Sequence, residues 1–281
     1  MTSMDRQHGP NGHPTRSPSL AALFATPALL FGAFVVAPLG ALVYRAAQDE
    51  RVVDRLTDEV VIDALRLSLI TSTLTLAIAL LLGVPLAYLL ARTRFPGKRL
   101  VDTLVDLPMV LPPTVAGVAL LVAFGRRGVF GPVLDGFGIE LAFTASAVVL
   151  AQLFVSAPFL VRTLKAGFEA VDPTYEQVSA TLGVSPLRTF WRITLRLSRP
   201  ALVGGAVLCW VRALSELGAT IIFAGNFEGR TQTMPLAIIS AFESSQGLAG
   251  AMALSVILLA VASALLALLR VALRGDQSFE A

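Results

Sequence analysis

The chain has 281 residues, 55% of them hydrophobic and 15% charged, with a formal net charge of +3 and a mean hydropathy of +0.75. A soluble domain carries about a quarter charged residues, so this composition excludes an ordinary water-soluble globule and makes lipid the main solvent. One cysteine, Cys209, and two histidines, His8 and His13, give a disulfide or a structural or catalytic metal site too little to be built from, and nothing in the pattern calls for a nucleic-acid partner.

Residues 1–19 are rich in Pro, Gly and Ser and are expected to form a disordered tail. The first apolar run follows at about 20–44; it is too long for a signal-peptide core and lacks a cleavage site, so it is expected to remain as an anchor. The charged stretch 45–63 suits an outside loop. A second run spans about 65–91 and is interrupted by Gly83 and Pro85; "RTRFPGKR", with four basic residues in eight, then makes a short loop. The third run, about 104–124, holds Pro108, Pro112 and Pro113. Backbone breaks at membrane depth are tolerated where they face protein or a watery path, which marks Pro112, Pro113 and the adjoining Thr114 as a candidate pore wall. "GRRGVFGPVLDGFG" leads to a fourth run at about 141–161, a polar segment at 162–199, and further runs at about 201–224 and 249–271, with 272–281 as a tail.

Each run reaches roughly the 20 residues that a bilayer requires. The pattern predicts an all-α membrane protein of six transmembrane helices, one domain over 20–271, with both termini on the same side. The tail, the 92–99 loop, the 162–199 segment and the C-terminus with Arg270 at its margin hold 14 of the 22 Lys and Arg residues. The positive-inside rule therefore places both termini and the long segment in the cytoplasm.

Within that segment, Asp172 followed by Pro173 is a helix start. Gly183 is a stop able to take a left-handed conformation, and Ser185 with Pro186 repeats the start. Two short helices joined by a glycine elbow result. Val178 and Leu182 share a face of the first; Leu187, Phe190 and Trp191 cluster on the second. Such an amphipathic hairpin either lies on the membrane surface or fits its apolar knobs into a groove on another protein.

The hairpin resembles the cytoplasmic EAA loop of permease subunits of bacterial ABC importers. Gly183, Ile193 and Leu195 match its spacing; Gln177, Val178 and Ser179 stand where Glu-Ala-Ala is expected, Glu176 lies one place early, and Arg196 replaces a proline. The resemblance implies that Tyr175, Glu176, Gln177, Ser179, Leu182, Gly183, Val184, Ser185, Pro186 and Leu187 form the coupling element that docks on an ATPase subunit. A second block, "LPMVLPPTVAGVALLVAFGRRGVFG" together with "ELGATIIFAGNFEGRTQTMPLAI", resembles the molybdate/tungstate permeases of that superfamily, with the sulfate/thiosulfate permeases as nearest relatives. The likeness covers roughly 60–270. It implies a homodimer, two ATP-binding subunits and an extracytoplasmic molybdate-binding protein as partners, in the cytoplasmic membrane. No G-x-x-x-x-G-K-[ST] loop is present, so ATP and Mg are expected to be used by the partner, with no cofactor on this chain and no catalytic residue in it. A sulfate permease and an ATP-independent secondary transporter remain as alternatives.

Arg212 and Glu216 lie four apart in the fifth run, a spacing that lets them pair on a helix. Charges at membrane depth are costly and face the bundle interior or a path. The pair either clips the fifth span to its neighbours or lines the route. Gly218, Ala219 and Thr220 follow on the same helix and are small enough for close approach between two copies. Beyond them, Asn226 and Arg230, with Arg126 and Arg127, fall in outer loops, which the resemblance implies face the binding protein.

Overall fold

A computed structural model describes residues 18–48, 58–245 and 247–274. The chain divides into two compact units, Met1–Gln48 and Asp49–Ala281. The first is a single helix, α1 (Pro18–Ala47), that runs through Pro27 and Pro38 and is apolar enough over Phe24–Ala47 to cross a membrane. Pro18 and Ser19, assigned to the tail from sequence, already belong to it; the remainder of that tail, residues 1–17, and the C-terminal residues 275–281 lie outside the described residues.

The second unit contains α2 (Glu59–Arg92), α3 (Lys98–Val110), α4 (Pro113–Phe124), α5 (Gly131–Gly136), α6 (Ala145–Ala170), α7 (Thr174–Thr181) and α8 (Pro186–Thr189). A π turn (Phe190–Thr194), α9 (Leu195–Leu197), α10 (Arg199–Leu214), α11 (Gly218–Phe223), α12 (Met234–Glu243) and α13 (Gly247–Arg274) follow. No strand occurs among the described residues. Among the described residues, four helices are long and apolar enough to cross a membrane, or up to six if each of two bent pairs counts as one span. Six spans were expected; the bent pairs, 98–124 and 186–214, do not coincide with the expected third and fifth spans, 104–124 and 201–224.

Three expectations are corrected. The second span is not interrupted: α2 runs unbroken through Gly83 and Pro85, and Gly83 serves close packing, since a Cβ there would sit 3.2 Å from a Val161 methyl. The third span is not one helix: α3 and α4 meet at a bend of 118°. Leu111 and Pro112, each preceding a proline, adopt extended backbone (ψ 137° and 135°), as the ring of the next residue demands. The fourth helix does not end at Val161 but continues to Ala170, carrying Arg162, Lys165 and Glu169 on helix rather than in loop.

The core is built on α6. Leu160 is fully buried between Gly83 of α2 and Gly205 of α10, each of which would bring a Cβ within 3.5 Å of it. In lipid there is no hydrophobic drive between helices, so small residues that admit close packing and polar side chains that bond across helices hold the bundle. Both devices are present. Gln152 of α6 is buried; its Nε2 donates to Thr71 Oγ1 (3.2 Å) and its Oε1 accepts from Thr75 Oγ1 (3.1 Å), tying α6 to α2. Cys209, expected as plain packing, is buried beside Ser156 (3.5 Å).

Candidate functional site

The polar segment after α6 folds as the expected hairpin. Thr174 N–H donates to the Asp172 carboxylate (2.8 Å), and hydrogen bonds from Thr174 hold that carboxyl below its ordinary pKa. Gly183 sits at φ +73°, and Val184 N–H and Gly183 N–H return to the carbonyls of Ser179 (3.1 Å) and Ala180 (3.0 Å). That pair of bonds is a Schellman stop, which needs a left-handed residue at this position. Ser185 precedes α8, although its hydroxyl makes no capping bond.

Two of the residues assigned to docking face inward instead. Ser179 is buried and its hydroxyl bonds that of Thr189 (2.7 Å), closing one helix of the hairpin onto the other. Glu176 accepts from Arg92 Nε (3.2 Å) and Thr194 Oγ1 (2.8 Å), while Arg92 also donates to the Val171 carbonyl (2.7 Å). Arg92 ends α2, so the hairpin is fastened to the base of that helix. Phe190 also turns inward, with ring centres 4.9 Å from Tyr88 and 6.1 Å from Phe168. The outer surface keeps Tyr175, Gln177, Val178, Leu182, Gly183, Ser185, Pro186, Leu187 and Trp191 exposed, with Val184 half-buried; Leu182 and Leu187 are 76% and 69% accessible. A rigid knob of apolar side chains is thus presented away from the bundle.

The second site lies where two helices break. The fifth span was expected as one helix from 201 to 224, but α10 stops at Leu214 and α11 starts at Gly218. Arg212 and Glu216 do pair, Nη1 to Oε2 at 2.6 Å. Glu216 lies in the break, however, and its Oε1 accepts the Ala219 N–H at 2.8 Å. The carboxylate therefore joins the last turn of α10 to the first amides of α11, whose positive end favours an anion. Glu216 is 1% accessible at its side chain and Arg212 27%, so the acid is sealed and the base partly open.

Gly218, Ala219 and Thr220 open this new helix rather than continuing the old one, and the close approach that they permit is made within the chain. A Cβ on Gly218 would meet Pro113 Cβ at 2.7 Å, and one on Gly117 would meet the Ala219 carbonyl at 2.9 Å. The break before α4 and the break before α11 therefore touch. Pro112, Pro113 and Thr114 are exposed beside them; Ala219 and Thr220 are buried.

The segment 226–235 is exposed over 227–230 and buried over 231–235. Thr231, Gln232 and Thr233 are buried, Met234 N–H donates to Ser68 Oγ of α2 (2.7 Å), and α12 packs against α13. Asn226 Nδ2 donates to Ser240 Oγ (2.8 Å) and thus braces this segment. Arg126, Arg127 and Arg230 are exposed, Arg126 pairing with Glu140 at 3.6 Å. Arg126 and Arg230 line a pocket of about 510 Å³ together with Asp135 and Glu140, so its charge is balanced rather than positive.

Sequence reasoning missed two constellations. One is the Thr71, Thr75 and Gln152 seam. The other is a set of ion pairs between α3 and α6: Arg162 pairs with Asp106 and Asp102, and Lys165 Nζ lies 2.7 Å from Asp102. The spacings Asp102/Asp106 and Arg162/Lys165 each put two charges on one helix face, a signal that was hidden because both stretches were assigned to span edge or loop.

Residues 79–275 match the family of binding-protein-dependent transport system inner membrane components. The chain belongs to this family. It is 49% identical over 62% of its length to the molybdenum transport system permease protein ModB of Mycobacterium tuberculosis, of which the match spans 66%, just under two thirds. The ModB of Escherichia coli K12 is 44% identical over 71% of this chain and 87% of its own. A bacterial ABC transporter that imports alginate has the same fold, with a TM-score of 0.72 at 17% identity over 95% of this chain and 97% of that one. Irregular backbone such as the touching helix breaks is tolerated at membrane depth where it is buried in protein or lines a cavity.

Proposed function

We propose that this chain is the transmembrane permease subunit of an ATP-driven importer, and that its dimer forms the gated route for molybdate or tungstate. Both termini and the 174–197 hairpin are cytoplasmic, two ATP-binding subunits dock on that hairpin, and an extracytoplasmic binding protein delivers the oxyanion. The observation that carries this reading is the hairpin itself. Its apolar knob is fully formed yet has no partner among the described residues; the Arg92–Glu176 pair fastens it to α2 and the Ser179–Thr189 bond stiffens it. A stiff lever with an open apolar face suits transmission of force from another protein.

In the mechanism, ATP and Mg act in the partner, and this chain converts the partner's closure into motion of its helices. Displacement of the hairpin is passed through Glu176 to α2 and through the helix that precedes it, α6. The two breaks, Leu111 to Pro112 and Ser215 to Leu217, interrupt the helices and are the points at which α4 and α11 change angle. Arg212 is the pathway-facing member of its pair; Glu216 positions it.

Uptake of labelled molybdate into vesicles holding the permease, its cognate ATPase and the loaded binding protein tests the proposal. ATP-dependent accumulation that excess sulfate leaves unchanged is expected. Suppression by sulfate would move the substrate to that oxyanion, and equal uptake without ATP would overturn the pump.

A further inference from the structure

We infer that α3 is not half of a span but an amphipathic helix lying along the membrane surface, with its first turn binding the anionic headgroups of phospholipids. Three observations combine. The bend of 118° sets α3 nearer to perpendicular to α4 than to continuing it. Leu100, Leu104 and Leu107 fall on one side of the helix and are 65%, 54% and 47% accessible. The opposite sides are fully engaged: Val101, Val105 and Pro108 pack toward α2 and α6, and Asp102 and Asp106 are neutralised by Arg162 and Lys165.

Charge chooses the occupant of the open side. Both acids of α3 are paired to α6, and the cations at its start, Arg94, Lys98 and Arg99, form no ion pair among the described residues; Lys98 also feels the charge of Asp102, and Glu176, which shares its groove, is paired with Arg92. Arg94 and Lys98 border a groove of about 620 Å³ next to Gln177 of the hairpin; the Lys98 ammonium, bonded to the Thr93 carbonyl (3.2 Å), keeps further donors for a phosphate. Phe95, between the cations, is exposed as well. A basic first turn followed by a leucine face is the pattern of a helix that lies in the headgroup layer of an anionic bilayer. Its inner ion pairs then fix α6, and so the root of the hairpin, to the plane of the membrane.

The inference rests on the inner-membrane reading above, but not on which side is cytoplasmic, since depth is measured from the nearer surface. Spin labels on Leu100→Cys, Leu104→Cys, Leu107→Cys and Val110→Cys, each in a Cys209→Ala background within the full chain, are read for depth in phosphatidylcholine vesicles with and without phosphatidylglycerol. Equal, shallow depths are expected at all four positions. A depth that increases by about 15 Å from the first to the last, the rise of a spanning helix, would overturn the in-plane placement. Labels shielded from both lipid-soluble and water-soluble relaxants would show that a second copy covers this face instead. In the same vesicles, spin-labelled phosphatidylglycerol is expected to associate with the wild type in preference to phosphatidylcholine. The preference should fall to near unity in Arg94→Gln/Lys98→Gln/Arg99→Gln; its persistence there would overturn the headgroup site.

Discussion

Glu216 carries more of the structure than its position in an apolar run suggests. One oxygen pairs with Arg212 and the other accepts the Ala219 N–H, so a single side chain holds two helix ends across a break. Removing one partner of a buried ion pair costs roughly 3–5 kcal/mol, whereas the pair itself adds little. Arg212→Met, which leaves the sealed Glu216 carboxylate unpaired, is therefore expected to lower the thermal midpoint of the detergent-purified permease far more than Arg212→Met/Glu216→Leu, measured by circular dichroism. Equal losses would show that the pair is a net stabiliser. Gly117 makes a comparable point about space: Gly117→Leu drives a side chain into Ile222 and the Ala219 backbone, with an expected cost of about 1–3 kcal/mol. Uptake should fall with it, because the two breaks can no longer touch.

At the scale of the element, the hairpin depends on backbone conformation rather than on bulk. No atom lies within 4 Å of a Cβ placed on Gly183, but its φ is +73°. An ordinary L-residue there costs about 1–2 kcal/mol, and a β-branched one more, while Asn is tolerated. Gly183→Val is expected to abolish most ATP-dependent uptake while leaving membrane insertion intact, and Gly183→Asn to retain most of it. Similar losses in both would point to side-chain exclusion by the partner instead. The helix starts and stops of this hairpin were legible because local chemistry sets them: Asp172 and Pro173 open α7, and Gly183 closes it. The inward turn of Glu176, Ser179 and Phe190 was not legible, since their partners Arg92, Thr189 and Tyr88 are supplied by other turns or by α2.

For the whole molecule, the proposed orientation rests on the distribution of Lys and Arg. Ser185 is exposed on the hairpin and the native Cys209 is buried. Ser185→Cys is expected to react with a membrane-impermeant maleimide in inside-out vesicles and not in right-side-out ones; the reverse result would invert the topology. The balance of charge in the pocket lined by Arg126 and Arg230 also bears on function at this scale, because a neutral rim offers an oxyanion no net attraction. Arg126→Gln is accordingly expected to leave the apparent affinity for molybdate delivered by the binding protein nearly unchanged.

Apolar runs of bilayer length, their number, the asymmetry of Lys and Arg, and the cap and stop signals of the hairpin all came from the sequence alone. Each of these depends on single residues or near neighbours meeting lipid, water or their own backbone. Tertiary structure alone decided that Gly83 and Pro85 leave α2 intact, that the run 104–124 divides at Leu111 and that the run 201–224 divides at Ser215. It also decided that the two breaks meet through Gly218 and Pro113 and that Arg162 and Lys165 bind α3. Proline and glycine permit a bend without requiring one. Whether a helix bends at them depends on what packs beside the site, and here the deciding neighbours lie many residues away in the chain.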